Sequence, residues 1–305
     1  MARWHGTTRQ TSMTAFHPPI TPLFVPATHP DRFGKAAKSG ADAVIIDLED
    51  AVARQDKATA RTNITASSID LPAPVFIRVN ADGSDFFDDD ISHLASLGDK
   101  YLGITSIIAG IVLPKIERPD TLATLAQRLG DACPIIGFVE TALGVVNLGA
   151  LCRAGNLVQF GFGAIDYALD VGCQETREAL LHARCQIVTA SRAFGKHPPL
   201  DAVTANFTDG TLVADDAKYA ASLGFGGKLL IHPKQVAPAK AAFAPTPEDI
   251  AWAGRVLEVV AKNASKDSGK DSGKNISGAM QLDGTMIDRP VIEKAKRILA
   301  SRPET

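Results

Sequence analysis

Acidic and basic side chains recur in this 305-residue chain at the points where short apolar runs stop. Asp47, Glu49 and Asp50 close one such run, Arg78 and Asn80 a second, Lys115 and Glu117 a third, Glu140 a fourth, Asp166 a fifth and His232 a sixth. Glu140 and Asp166 make the clearest pair. On adjacent parallel strands, roughly 4.8 Å apart, both carboxylates reach one hard cation. Two acids plus waters suit Mg²⁺, with Mn²⁺ as the alternative ion, and leave coordination positions for a substrate's own oxygens. The competing reading of the pair is a surface-loop acid and a helix N-cap. Arg78 follows Val-Phe-Ile, so its always-charged fork can bind a carboxylate or a developing enolate oxygen, or else pair with the acids around Asp47. A Schiff-base role for Lys115 is disfavoured, because such a lysine needs desolvation and Glu117 follows at once. His232 is placed either to touch substrate or to serve as a satisfied core histidine.

Positioning these groups requires a scaffold, and the spacing of the runs predicts it. Strands are expected at Leu23–Pro26, Ala43–Leu48, Val75–Val79, Gly110–Leu113, Ile135–Val139, Leu157–Phe162, Ala202–Ala205 and Lys228–Ile231. Helical periodicity falls between them, at Asp31–Lys38, Lys57–Ala66, Phe87–Leu97, Asp120–Leu129, Val145–Arg153, Arg177–Phe194, Leu212–Leu223 and Gln235–Phe243. Eight βα units with strands apolar on both faces predict a (β/α)8 TIM barrel, whose active groups gather at the C-terminal strand ends. No Gly-x-Gly-x-x-Gly follows the first strand, which argues against a dinucleotide fold. The expected organisation is a disordered segment over 1–19, a barrel over 20–245 and a C-terminal helical extension over 246–305. Within the extension, a helix over Pro245–Lys262 has Thr246 as N-cap and Pro247 at its first position. A flexible linker over 263–277 carries a tandem Lys-Asp-Ser-Gly repeat, and a short helix covers Val291–Leu299.

Composition narrows the function classes. A net charge of −2, from 32 basic and 34 acidic residues, excludes the basic field of a nucleic-acid binder. No apolar run is long enough to span a membrane. Four cysteines without a Cys-x-x-Cys pair read as reduced thiols. These features suit the cytoplasm. The acid-free, Arg- and Ser/Thr-containing first 19 residues make the mitochondrial matrix the alternative, if they act as a transit peptide.

From Leu23 to Leu299 the chain resembles the HpcH/HpaI aldolase and citrate lyase family, which includes citrate lyase β subunits and malyl- and citramalyl-CoA lyases. The matching segments are LFVPATHPDRF at Leu23, ADAVIIDLEDAV at Ala41, FIRVN at Phe76, VLPKIE at Val112, FVETALG at Phe138, FGAIDYALDVG at Phe162, GFGGKLLIHPKQV at Gly224 and DGTMID at Asp283. The resemblance implies a homotrimer or hexamer that acts on CoA thioesters and 2-oxo acids, with Mg²⁺ on Glu140 and Asp166. It implies that Arg78 contacts substrate, that Phe24, Arg32 and Lys35 hold the CoA part, and that Ile231 and His232 line the same cleft. Asp288 becomes the acid or base, reaching into a neighbouring subunit from a lid segment. Two departures stand out. Pro26-Ala27-Thr28-His29-Pro30 replaces the usual PGNRP loop, and Leu143 and Ile165 stand where citrate lyase subunits commonly carry Arg and Glu.

The function so implied is Mg-dependent cleavage or formation of a 3-hydroxyacyl-CoA such as malyl-, citramalyl- or citryl-CoA. Arg78 stabilises the thioester enolate, Asp288 moves the proton, and Glu49 and Asp50 order metal-bound water. The alternatives are a malyl-CoA thioesterase or malate synthase type of activity, a CoA-independent 2-oxo acid aldolase, and a non-catalytic, carrier-dependent lyase subunit.

Overall fold

The computed structural model describes residues 16–98, 107–267 and 280–301. Eight strands, β1 (Pro22–Pro26), β2 (Ala43–Asp47), β3 (Val75–Arg78), β4 (Ile108–Leu113), β5 (Ile135–Val139), β6 (Leu157–Phe162), β7 (His197–Asp201) and β8 (Gly227–Lys228), pair in sequence order. Every neighbouring pair is parallel, as helical crossovers require. The wall closes where Lys228 N donates to Ile20 O, Leu230 N to Pro22 O and Phe24 N to Leu230 O. This is the TIM barrel the sequence predicts. Its interior is filled by Ile45, Phe76, Val112, Ile136, Phe138, Val158, Leu200 and Leu229, joined from outside the strands by Phe16. Asp42 pins the entry to β1 by accepting from Ile20 N and Thr21 N at 2.8 Å each.

Three segments differ from expectation. The seventh strand is His197–Asp201 rather than Ala202–Ala205. Its prolines supply no N–H donors to the ladder, and across a register shift the Gln159 side chain donates to Pro198 O at 2.8 Å. The eighth strand is only two residues long before the chain turns into the bridge at Leu230. The expected disordered start does not extend to Phe16, whose ring packs edge-on to Phe76 at 6.2 Å. Residues 1–15, and the Lys-Asp-Ser-Gly repeat within 268–279, lie outside the described residues.

His197 is half-buried with its ring 5.3 Å from that of Phe16. Burial, helped by Lys196, pulls it below its ordinary value of 6.5. The unfolded ring therefore takes up a proton before the folded one does. The stability this group contributes is complete above 6.5 and is lost as pH falls through the lower folded value. His197→Gln is expected to flatten the decline in urea-unfolding stability between about pH 7.5 and 5.5. An unchanged slope would sink the assignment.

Helices between the strands include α1 (Phe33–Ala37), α2 (Lys57–Thr62), α3 (Phe87–Ser96), α4 (Pro119–Leu129), α5 (Ala142–Val146), α6 (Leu148–Leu151), α7 (Ala164–Val171), α8 (Arg177–Ala193), α9 (Gly210–Leu223) and α10 (Val236–Phe243). The barrel unit ends at Ala241. The second unit contains α11 (Pro247–Asp267), a hairpin of β9 (Met280–Leu282) and β10 (Thr285–Ile287), and α12 (Arg289–Ala300). Its own core joins Ala253, Val256, Met280, Ile287 and Ala295. Thr246 and Asp249 cap α11 reciprocally, each side chain accepting from the other's backbone N–H at 3.1 Å. Among the described residues no helix is long and apolar enough to cross a membrane.

Candidate active site

Asp47 and Arg78 end β2 and β3 and are direct cross-strand partners. Their pairing is bidentate, Arg78 Nε and Nη2 donating to Asp47 Oδ1 and Oδ2 at 2.7 Å each. Arg78 Nη1 also donates to Asp50 at 3.3 Å and approaches Glu49 Oε2 at 3.0 Å. The guanidinium lies 4.8 Å over the half-buried Phe24 ring, which meets Phe138 edge-on. Asp47 also accepts from Glu49 N and Ala51 N, at 2.8 and 3.0 Å, and so shapes the loop that carries Glu49.

From the far side of that loop comes Lys57, a buried residue on α2. Its Nζ donates to Leu48 O, Glu49 O and Asn80 Oδ1 at 2.7, 2.7 and 2.6 Å. Asn80 is fixed in turn by Asp90, and Asp90 by Arg61. The Glu49 backbone is thus held by a buried polar chain running out to α3.

Lys115 stands at the centre of the acids. Its Nζ lies 2.9 Å from Glu49 Oε1, 3.4 Å from Asp166 Oδ1 and 3.6 Å from Glu140 Oε2. Its backbone N–H donates to the same Glu140 oxygen at 2.9 Å. The residue adopts φ +48°, the left-handed region that a side chain seldom occupies. Glu140 directly follows β5, and Asp166 sits in the first turn of α7. Gly163, which precedes α7, leaves Glu140 its space: a Cβ there would lie 2.4 Å from Glu140 Cγ.

Five carboxylates, Asp47, Glu49, Asp50, Glu140 and Asp166, therefore meet two cations, Arg78 and Lys115. Burial first, then the charge of Glu49, pushes Glu140 up to about 8. Burial also raises Glu49. Lys115 is raised as well; burial alone would lower it, but Glu140 and Glu49 hold it above the ordinary lysine value. Glu49 Oε2 is buried and has no aligned hydrogen-bond donor, Arg78 Nη1 being near but poorly oriented. A cluster with excess negative charge, an acid displaced toward its neutral form and an orphaned oxygen fits an additional cation. Among the described residues no group of three or more acidic, histidine or cysteine side chains forms a complete cage. Two oxygen ligands with open positions remain the pattern that Mg²⁺ accepts.

Sequence reasoning finds Glu140, Asp166, Arg78, Glu49 and Asp50, and the structure brings all five together. It sets Lys115 aside, although the acid that seemed to disqualify it, Glu117, faces away and accepts from Thr141 Oγ1. It places Asp47 at a strand end and offers pairing of Arg78 with the acids there as the rival to substrate binding, and the structure makes that pair. The readable signal was an acid ending one buried strand beside an arginine ending the next. The residues expected for CoA lie elsewhere. Lys35 lines an open cleft of about 520 Å³ with Gly34, Lys38, Ser39 and Pro233, while Arg32 is exposed just before α1. Ile231 is exposed, and His232 stacks on Phe207 at 4.7 Å while its Nδ1 accepts from Lys234 N. Phe24 packs at Arg78 instead. Asp288 belongs to the second unit, where it is exposed and caps α12 by accepting from Val291 N at 3.1 Å.

Comparison with known proteins finds relatives along almost the whole chain. A citrate lyase subunit beta-like protein of Deinococcus radiodurans is 36% identical over 290 residues, covering 91% of this chain and 95% of its own. The mitochondrial citramalyl-CoA lyase of Homo sapiens is 31% identical over 297 residues, covering 90% and 82%. The crystal structure of the protein CitE from Mycobacterium tuberculosis in complex with magnesium, acetoacetate and coenzyme A superposes with a TM-score of 0.74 at 31% identity, over 92% of this chain and 97% of that one. The profile of the HpcH/HpaI aldolase/citrate lyase family spans residues 21–233, more than half of the sequence, and the chain belongs to that family.

Proposed function

We propose that the protein is a Mg²⁺-dependent carbon–carbon lyase that cleaves, or in reverse forms, a 3-hydroxyacyl-CoA of the malyl-, citramalyl- or citryl-CoA type, releasing an acyl-CoA and a 2-oxo acid. The observation that carries this reading is a single cation position within 3.6 Å of both Glu140 and Asp166, beside a buried guanidinium at a barrel mouth. Relatives described as citramalyl-CoA lyase, and as complexed with magnesium and coenzyme A, support it. Glu140 and Asp166 would hold the ion. When bound, Mg²⁺ supplies Lewis-acid polarisation of substrate oxygens. Asp47 and Asp50 fix Arg78 while leaving two of its five N–H groups to stabilise the oxygen of the thioester enolate. Glu49 and Asp50 orient water and substrate around the cluster. Asp288 protonates the enolate carbon in the cleavage direction and removes that proton in synthesis. Lys35 and Lys38 offer two ammonium groups to CoA phosphates along their cleft, and Arg32, Ile231 and His232 complete the proposed CoA site.

The decisive assay supplies Mg²⁺ and a panel of 3-hydroxyacyl-CoA esters and follows acyl-CoA and 2-oxo acid. Release of CoASH without acyl-CoA, or turnover of free 2-oxo acids without CoA, would overturn the reading. Gly163→Ala is expected to weaken Mn²⁺ binding by about tenfold or more, because the new methyl displaces the Glu140 side chain. Unaltered circular dichroism with unaltered Mn²⁺ affinity would contradict it. Asp288→Asn is expected to abolish proton exchange at the acyl-CoA carbon while leaving Mn²⁺ binding intact. A variant at full rate removes Asp288 from the chemistry.

Assembly into a homotrimer or hexamer is part of the proposal. Leu143 and Val146 of α5 and Ile165, Leu169 and Val171 of α7 are all exposed, Val146 at 79% and Leu169 at 81%. Apolar exposure on that scale suits a covered surface. A monomeric mass by light scattering would overturn it. The cytoplasm, or the mitochondrial matrix if residues 1–19 act as a transit peptide, is the proposed location, checked by fractionating cells that express the tagged full chain.

A further inference from the structure

We infer that Lys115 is an internal cation that a divalent ion must displace from Glu140 and Asp166, so that metal uptake at this site is a cation exchange. The inference rests on the metal reading above and goes beyond it, since it assigns the exchange to one side chain. The Lys115 ammonium nitrogen touches the two oxygens that would hold the ion, Glu140 Oε2 at 3.6 Å and Asp166 Oδ1 at 3.4 Å. A monovalent and a divalent cation cannot share those oxygens at contact distance without strong repulsion, even with screening.

The local geometry lets the two ends of Lys115 behave differently. Its backbone N–H donates to Glu140 Oε2 at 2.9 Å, so Glu140 stays anchored wherever the ammonium goes. The left-handed backbone at φ +48°, immediately after Pro114, aims the side chain into the cluster. That side chain is one-third exposed, and so has room to swing. Glu49 Oε1, at 2.9 Å from Nζ and following β2 where Asp166 follows β6, is the resting partner that remains. Glu49 is nearly buried and already held by Lys57 through its backbone, so it does not follow the ion. The ammonium thus keeps the acids together before the metal arrives and lowers the affinity that two carboxylates alone would give. A 2-oxo acid entering with the metal brings a carboxylate that offsets the crowded positive charge, so substrate and metal should favour each other's binding through Lys115.

The test measures Mn²⁺ binding by electron paramagnetic resonance to chelator-stripped, full-length protein, with and without pyruvate. Lys115→Met is expected to bind Mn²⁺ about tenfold or more tightly than the wild type without pyruvate, and to lose most of the tightening pyruvate gives. Its stripped form should melt lower than stripped wild type, and Mn²⁺ should raise its Tm by more. Lys115→Arg, which keeps the charge, should stay near wild-type affinity. Should the Met variant fail to fold when stripped, Lys115→Gln is expected to show the same tightening. Unchanged or weaker Mn²⁺ binding in the neutral variants, with binding abolished in Glu140→Ala, overturns the exchange and leaves the metal site standing. Wild-type binding in both Glu140→Ala and Asp166→Ala instead overturns the metal reading itself.

Discussion

Asp47→Ala lowers the free energy of unfolding by about 3–5 kcal/mol in urea denaturation, the range expected when one partner of a buried ion pair is removed. Asp47 and Arg78 have side chains only 1% and 10% exposed, so water cannot replace the lost carboxylate. Glu49 and Asp50 remain near Nη1, but Nε and Nη2 lose both of their acceptors. The Glu49 and Ala51 amides lose their acceptor too. The second half of the experiment isolates the charge. Asp47→Ala combined with Arg78→Met should be more stable than Asp47→Ala alone, because the stranded guanidinium is gone. A loss below about 1 kcal/mol in the single variant, or a double variant that is less stable, would refute a buried pair of this strength.

Glu140→Gln and Asp166→Ala are expected to lower kcat/KM of Mg²⁺-dependent cleavage by at least about a hundredfold, beyond the 10–100-fold usual for groups one layer out from a metal. Mn²⁺ binding should be lost in parallel. Unfolding is not the cause to fear at Glu140, because its carboxylate is tolerated poorly where it stands: burial and Glu49 push it up to about 8. A neutral amide of the same shape removes that charge, so Glu140→Gln should unfold at the same urea concentration as wild type or a higher one. Cleavage that persists at wild-type rate with Mg²⁺ saturating would remove both residues from the centre of the proposal.

How much of this could be read from the amino-acid sequence depended on whether a residue's neighbours were local. Strands β2 to β6 were legible because each is a mostly apolar run, broken inside only by Gln159 of β6, and buried along almost its whole length. Strand β7 was not, since His197-Pro198-Pro199 carries a strand-breaking composition, and its pairing is partly made by a side chain, Gln159 donating to Pro198 O. Helix α7 was also passed over, although it carries Asp166, because it fits between β6 and a longer, more regular α8. The hairpin β9–β10 had its signal in Asp283-Gly284, both at positive φ as a tight hairpin turn requires, but the surrounding strands are three residues each. In the site, each metal-ligand candidate was visible as an acid at a strand end. The partners of the lysine counter-charges were not. Lys115 and Lys57 act through atoms 23 to 66 residues away in the chain, at Glu140, Asn80 and Glu49, and spacing along one strand carries no trace of such partners.

The in-register pairing of Asp47 with Arg78 has a consequence for how the barrel assembles. Parallel strands this apolar offer little to distinguish one alignment from the next, since Ile45 or Ile46 would bury about as well against Phe76 as against Ile77. A slip of one residue would set Leu48 or Ile46 opposite Arg78 and bury a guanidinium against hydrocarbon. The observed alignment of β2 on β3 neutralises the charge where a shift of one residue either way would not, so the salt bridge that shapes the site also favours the native register over its nearest neighbours.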